Sequence, residues 1–351
     1  LSPADGVDLR DLGLRALLSL PTPALRALAG GGVVYQGGRT LDPRLQYLTT
    51  ISRRAPSLGA MAPPEARVAT AGMVATMTGR TEPGVRIESL FIPTEAGPMA
   101  ARAYRHPDQD PDFPIMVFAH FGGGVIGDLS SCEVFCSILA RVALCPVISI
   151  AYRLAPEHRF PAGVEDVLAA YRWARENAQD FGARKGRAAV GGDSMGGNFA
   201  AVVAQETKRL REREPELQLL VYPALDLASE SPSMTLYADA WPLSRADMQW
   251  FMGHYMGPGD APGDPRLSPL RATDLSGLAP AVIATAGFDP LADQGEAYAR
   301  RLRQAGVFAD LRVFETLAHA FTAYTGLVPA ADLACRDVAA AVRARFAQGA
   351  I

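Results

Sequence analysis

Ser194 has a glycine two positions before it and another two positions after it, in Gly191-Gly192-Asp193-Ser194-Met195-Gly196-Gly197-Asn198. Residues 187–190 ahead of it read as a short strand, and residues 199–213 behind it as a helix. A serine at the apex of such a strand-to-helix turn sits on strained backbone, and side chains two residues to either side would collide. Its hydroxyl is then exposed at a helix N-terminus, where N–H groups and the helix dipole favour developing negative charge. The chemistry this suggests is nucleophilic attack. The spacing alone also fits an ordinary glycine-rich turn, so the partners of the serine decide.

A serine hydroxyl is a weak nucleophile at neutral pH and needs a base, usually a histidine that a carboxylate orients. The chain has five histidines: His106, His120, His158, His254 and His319. Around a serine elbow the partners follow in the chain order serine, acid, histidine. Only His254 and His319 lie downstream, and His254 falls within an aromatic insertion. His319, in Leu317-Ala318-His319-Ala320-Phe321, follows the last expected strand and is the candidate base. The acid should leave the carboxyl end of the preceding strand. There residues 280–286 run into Gly287-Phe288-Asp289-Pro290-Leu291-Ala292-Asp293, which makes Asp289 the candidate; Asp293 better suits a first helical turn. Backbone donors for an oxyanion are expected from the N–H of Met195 and from the glycine loop of residues 120–128. A phosphate cradle is the rival for that loop, but the G-x-x-x-x-G-K-[ST] pattern is missing there.

These residues need a scaffold that holds strand ends together. Residues 85–92 and 99–105 read as a hairpin, followed by strands at 115–119, 147–152, 187–190, 217–222, 280–286 and 310–314. Helices are expected between them at 130–144, 164–177, 199–213 and 291–305, with a last one at 330–346. Apolar strands alternating with helices define an α/β fold with a mainly parallel sheet covered on both faces. Residues 1–80 read as a helical cap or arm that Pro21 and Pro23 interrupt, with a helix start at Pro63-Pro64-Glu65. The catalytic core is expected over 81–223 and 264–351. Residues 224–263, rich in aromatics and methionine, form an insertion that is either a packed subdomain or a cap over an apolar pocket.

Composition narrows the partners. A net charge of −3 in 351 residues leaves no electrostatic footprint for nucleic acid or an anionic membrane. No apolar run reaches membrane-spanning length, so stable membrane insertion is not expected. The four cysteines, Cys132, Cys136, Cys145 and Cys335, form neither a disulfide framework nor a metal-ligand pattern, and buried thiols in a reducing compartment are expected. The chain begins at Leu1 with no basic and apolar leader pattern, and a cytoplasmic location is the expectation.

Four stretches together resemble the hormone-sensitive-lipase-like branch of the α/β-hydrolases, the bacterial family IV esterases with a G-D-S-A-G elbow. They are Gly192 to Asn198, Tyr152-Arg153-Leu154-Ala155-Pro156-Glu157-His158-Arg159-Phe160-Pro161-Ala162, Asp289-Pro290-Leu291 with Asp293, and His319-Ala320-Phe321. The resemblance runs from about residue 85 to the C-terminus. It implies an eight-stranded α/β-hydrolase sheet with its second strand antiparallel, under a cap built from the N-terminal helices and the insertion. It implies a cofactor-independent carboxylesterase acting on short- to medium-chain esters, and a homodimer formed through the last strand and helix. It further assigns Gly122 and Gly123 as oxyanion donors beside Met195. Two departures stand out: Phe121 replaces the first glycine of H-G-G-G, with Gly124 in place of the aromatic residue after it, and Met195 replaces a small residue. Amidase or deacetylase activity of the same triad remains an alternative, as does a lipase acting at lipid interfaces. A receptor resembling the plant gibberellin receptors would have lost the histidine that is present here as His319.

Overall fold

The computed structural model of the protein describes residues 9–53 and 56–349. Residues 1–8 of the expected helical cap or arm lie outside the described residues. From the N-terminus, helices α1 (Leu9–Leu18) and α2 (Thr22–Leu28) precede a two-stranded ribbon, β1 (Tyr35–Gln36) with β2 (Arg39–Thr40). Helices α3 (Pro43–Ser52) and α4 (Pro63–Met77) follow. Helix α1 ends at Leu18, ahead of Pro21 and Pro23, where the interruption is expected. Pro21 is the N-cap of α2 and Pro23 sits in its first turn, where a missing N–H costs nothing. The prolines that separate the two helices also start the second one.

The sheet has eight strands: β3 (Arg86–Thr94), β4 (Gly97–Arg105), β5 (Ile115–Ala119), β6 (Val147–Ile150), β7 (Ala188–Asp193), β8 (Gln218–Val221), β9 (Ala281–Phe288) and β10 (Ala309–Ala318). Their order is β10-β9-β8-β7-β5-β6-β4-β3. The β3–β4 and β4–β6 pairings are antiparallel and the remaining ones parallel. Strands β5 through β9 are buried at every position, as expected where helices cover both faces. Strand β10 lies at the sheet edge and carries exposed Glu315 and Thr316.

Helices α5 (Glu133–Ile138), α6 (Ala162–Glu176), α7 (Met195–Arg209), α10 (Ala292–Gln304) and α11 (Pro329–Gly349) join and flank the strands, while α8 (Pro232–Leu236) and α9 (Arg245–Tyr255) belong to the insertion. Two boundaries differ from expectation. Helix α7 begins at Met195, directly after the serine, because Gly196 and Gly197 are helical despite their low propensity. Residues 139–143 leave the α-helical ladder for a π turn, so the helix expected over 130–144 is α-helical only from Glu133 to Ile138. No helix among the described residues is long and apolar enough to cross a membrane. All four cysteines are free and buried.

Candidate active site

Strand β7 ends at Asp193 and α7 opens at Met195, leaving Ser194 at φ 55° and ψ −115°, a conformation an L-residue rarely adopts. The surroundings show why glycine flanks it. A Cβ on Gly192 would stand 2.3 Å from the Gly196 carbonyl, and one on Gly196 would stand 2.0 Å from the Ala119 carbonyl oxygen. Both are backbone contacts that no rotamer relieves. The strained apex is pinned by its own hydrogen bonds: Ser194 N–H donates to Val221 O at 2.9 Å, and Ser194 O accepts from the N–H groups of Asn198 and Ala224.

The structure brings the three expected side chains into one chain of contacts. His319 Nε2 lies 3.0 Å from Ser194 Oγ, and His319 Nδ1 lies 2.8 Å from Asp289 Oδ2. The other Asp289 oxygen accepts from Leu291 N–H at 2.8 Å, which fixes the carboxylate plane. Asp289 is wholly buried, whereas Ser194 and His319 keep a small exposed edge. The competitor Asp293 faces elsewhere. Its Oδ2 accepts from Ser233 N–H at 2.8 Å, tying α10 to α8. Among the other histidines, His254 Nδ1 contacts Trp250 O, and His106 neighbours Asp108.

The glycine loop faces the serine, and each of its peptides has a reason for its orientation. In a planar trans peptide the C=O and the following N–H point in opposite directions. The carbonyl of Phe121 lies 2.7 Å from His120 Nδ1; a carbonyl only accepts, so Nδ1 carries the hydrogen. The N–H of Gly122 is thereby turned the other way. The carbonyl of Gly122 accepts from Val125 N–H and Ile126 N–H at 2.9 and 3.0 Å, which turns out the N–H of Gly123 in the same manner. Burial depresses the His120 pKa to about 4 and so keeps the ring neutral, and it stacks on Tyr152 at 4.3 Å. Among the described residues, the N–H groups of Gly122, Gly123 and Met195 donate to no backbone carbonyl in loops or caps. Gly122, Gly123, Met195, Ser194 and His319 line one cavity.

A polar cluster beneath the elbow is absent from the sequence reading. Asp193 is fully buried, and its Oδ2 accepts from Tyr222 Oη and Thr322 Oγ1, each at 2.8 Å. Tyr222 also packs its ring 4.8 Å from His319. Burial raises the Asp193 pKa to about 6, against the hydrogen bonds from Thr322 and Tyr222 that lower it. Tyr222 and Thr322 lie 29 and 129 residues from Asp193, and no local pattern marks them as its partners.

The cavity over Ser194 measures about 870 Å³ and is mainly apolar. Its walls come from α3, α4 and the 56–61 segment on one side, and from 239–255 of the insertion on the other. Phe251 and Tyr255 of α9 sit directly on the glycine loop: a Cβ on Gly123 would meet Phe251 at 2.3 Å, and one on Gly124 would meet Tyr255 at 2.6 Å. This accounts for the missing aromatic residue after the glycines. Its space is filled by a ring from the insertion. Phe121 turns into the core that contains Phe118 and Phe135, and Met195 joins the core of Val125, Tyr152 and Leu225.

This fold, with Ser194 at the turn between β7 and α7, defines an α/β hydrolase. A family model described as an alpha/beta hydrolase fold matches residues 116–323. The carboxylic ester hydrolase LipN of Mycobacterium tuberculosis is 42% identical over 346 residues, spanning 96% of this chain and 92% of that protein. The ethyl acetate hydrolase of Pseudomonas putida is 38% identical over 262 residues, 74% of this chain and 82% of that one. The ester hydrolase EH1AB1 from a Lake Arreo metagenome, solved with a bipyridine phosphonate derivative, superposes with a TM-score of 0.82 at 38% identity, covering 86% of this chain and 97% of that chain. The chain belongs to the α/β-hydrolase family, in its hormone-sensitive-lipase-like branch.

Proposed function

We propose that the protein hydrolyses carboxylic esters through an acyl-enzyme on Ser194. The observation that carries this reading is the continuous Ser194–His319–Asp289 chain of contacts opening into an apolar cavity. Ser194 Oγ attacks the ester carbonyl while His319 Nε2 takes its proton. The tetrahedral oxyanion is met by the N–H groups of Gly122, Gly123 and Met195, each worth about 2.7–4 kcal/mol where such donors have been removed. Collapse expels the alcohol, to which His319 returns the proton. Water activated by His319 then releases the acid. Asp289 fixes the imidazole tautomer and stabilises the imidazolium. The relatives are named for ester hydrolysis, which favours esters over amides.

Ser194→Ala is expected to abolish hydrolysis of p-nitrophenyl butyrate while leaving the unfolding midpoint near that of the wild type. An organophosphonate should label Ser194 stoichiometrically in the wild type and leave the variant unlabelled. Turnover that survives in a folded Ser194→Ala protein refutes the proposal.

Residues 1–80 and 224–263 are proposed to act together as the cap of this core, since both supply cavity walls. A homodimer through β10 and α11 and a cytoplasmic location complete the reading. The four free, buried cysteines suit a reducing compartment.

A further inference from the structure

We propose that Arg67, on helix α4 of the N-terminal segment, is a positioning residue that holds the oxyanion donors in place. Its Nε donates to Val125 O at 2.9 Å and its Nη2 to Ala155 O at 2.8 Å. The same guanidinium is gripped by both carboxylate oxygens of Glu157, at 2.9 and 2.6 Å. The Arg67 guanidinium in turn holds the Glu157 carboxyl down to about 2. A bidentate pair of this kind fixes the plane of the fork, so the Nε donor and the second Nη2 donor are aimed rather than free.

The two carbonyls it holds belong to the frame of the glycine loop. Val125 lies in the turn whose N–H groups clasp Gly122 O, and that clasp directs the Gly123 N–H. Ala155 N–H donates to Gly124 O at 2.8 Å, so its segment braces the other end of the loop. Arg67 therefore closes a ring that runs from α4 through Val125 to Gly122, and through Ala155 to Gly124. Phe251 and Tyr255 of the insertion lie against Gly123 and Gly124. The loop is clamped between the N-terminal segment and the insertion, and the polar half of the clamp is one residue. Arg67 touches no reacting atom. Its effect passes through the aim of an N–H group that matters most when the carbonyl oxygen becomes an oxyanion.

This inference rests on the esterase reading, and the experiment separates the two. Wild-type activity on p-nitrophenyl butyrate, lost in Ser194→Ala, tests the reading; Arg67→Met and Arg67→Lys test the inference. Arg67→Met keeps the stem without the donors. It is expected to lower kcat about tenfold or more with KM within about twofold of wild type, the signature of lost transition-state stabilisation. Inhibition by a butyl trifluoromethyl ketone, which forms a tetrahedral adduct on serine, should weaken by a similar factor. Inhibition by the non-adding methyl ketone of the same length should not change. Arg67→Lys, able to reach one carbonyl but not hold the fork, should fall between the two. Glu157→Gln should shift kcat in the same direction by about twofold to fivefold and add little on top of Arg67→Met. If Arg67→Met fails to fold, the Lys and Gln variants must still show the kcat-specific loss. A rise in KM at constant kcat, an unchanged trifluoromethyl ketone affinity, or no effect at all overturns the proposal.

Discussion

The orientation of His319 depends on a carboxylate that accepts from two directions, the imidazole at 2.8 Å and the Leu291 amide at 2.8 Å. Asp289→Asn preserves the volume but offers an amide N–H where an acceptor is needed, which favours the wrong imidazole tautomer. A loss of about 10⁴ in kcat is expected, measured with p-nitrophenyl butyrate, with little change in KM. A second buried carboxylate lies beneath the elbow. Asp193 has its pKa raised to about 6 by burial, above the roughly 3.9 of an unfolded aspartate, so the folded state binds its proton more tightly. Its contribution to stability is full below about pH 4 and is lost as pH rises through 6. Asp193→Asn lacks that dependence. Urea unfolding of both proteins at pH 4 and pH 7 should show the wild type losing about 2 kcal/mol relative to the variant over that range. Equal pH slopes would mean that Asp193 ionises in the fold as freely as in the unfolded chain.

Elements carry these residues, and their legibility differed for physical reasons. The elbow was readable because its constraint is local: Gly192 and Gly196 are required by carbonyls at hand, and the spacing survives in the sequence. Gly196→Ala is accordingly expected to yield protein that is inactive and at least about 2 kcal/mol less stable by urea unfolding, since the added Cβ meets the Ala119 carbonyl rather than a side chain that could move. The true start of α7 was hidden by Gly196 and Gly197, whose propensity opposes the helix that tertiary packing imposes. The proline-led start of α2 was hidden because proline signals both a helix break and a first turn. Strand β10 runs to Ala318, beyond the expected end at residue 314, because an edge strand can carry Glu315 and Thr316 toward solvent without an apolar signal. That extension delivers His319 to the serine. The contacts that required the folded chain span long separations: Tyr222 and Thr322 on Asp193, Arg67 on Val125 and Glu157, and Phe251 on the glycine loop.

At the scale of the whole molecule, the proposed catalytic groups sit at the ends of buried strands while the space above them belongs to segments far apart in sequence. Residues 48–53, 56–77 and 239–255 meet over Ser194 and line about 870 Å³ of mainly apolar space. Met61, Met73, Met248 and Met252 are among its walls, side chains that adapt to ligand shape more readily than branched ones. Such a cavity discriminates by burial. Each methylene taken from water into it contributes about 0.8 kcal/mol, which is roughly a fourfold gain in kcat/KM when the binding is retained in the transition state. Across p-nitrophenyl acetate, butyrate, hexanoate and octanoate, kcat/KM is therefore expected to climb by about that factor per methylene at first. The climb should end where the acyl chain meets a wall, and p-nitrophenyl palmitate should be turned over less efficiently than the optimum. A profile that is flat from acetate to octanoate would mean that the acyl chain lies in solvent and that the cavity receives the alcohol instead. Alkyl acetates of increasing alcohol length would then have to show the climb in place of the acyl series, because the apolar walls beside Ser194 must stabilise one side of the scissile bond or the other.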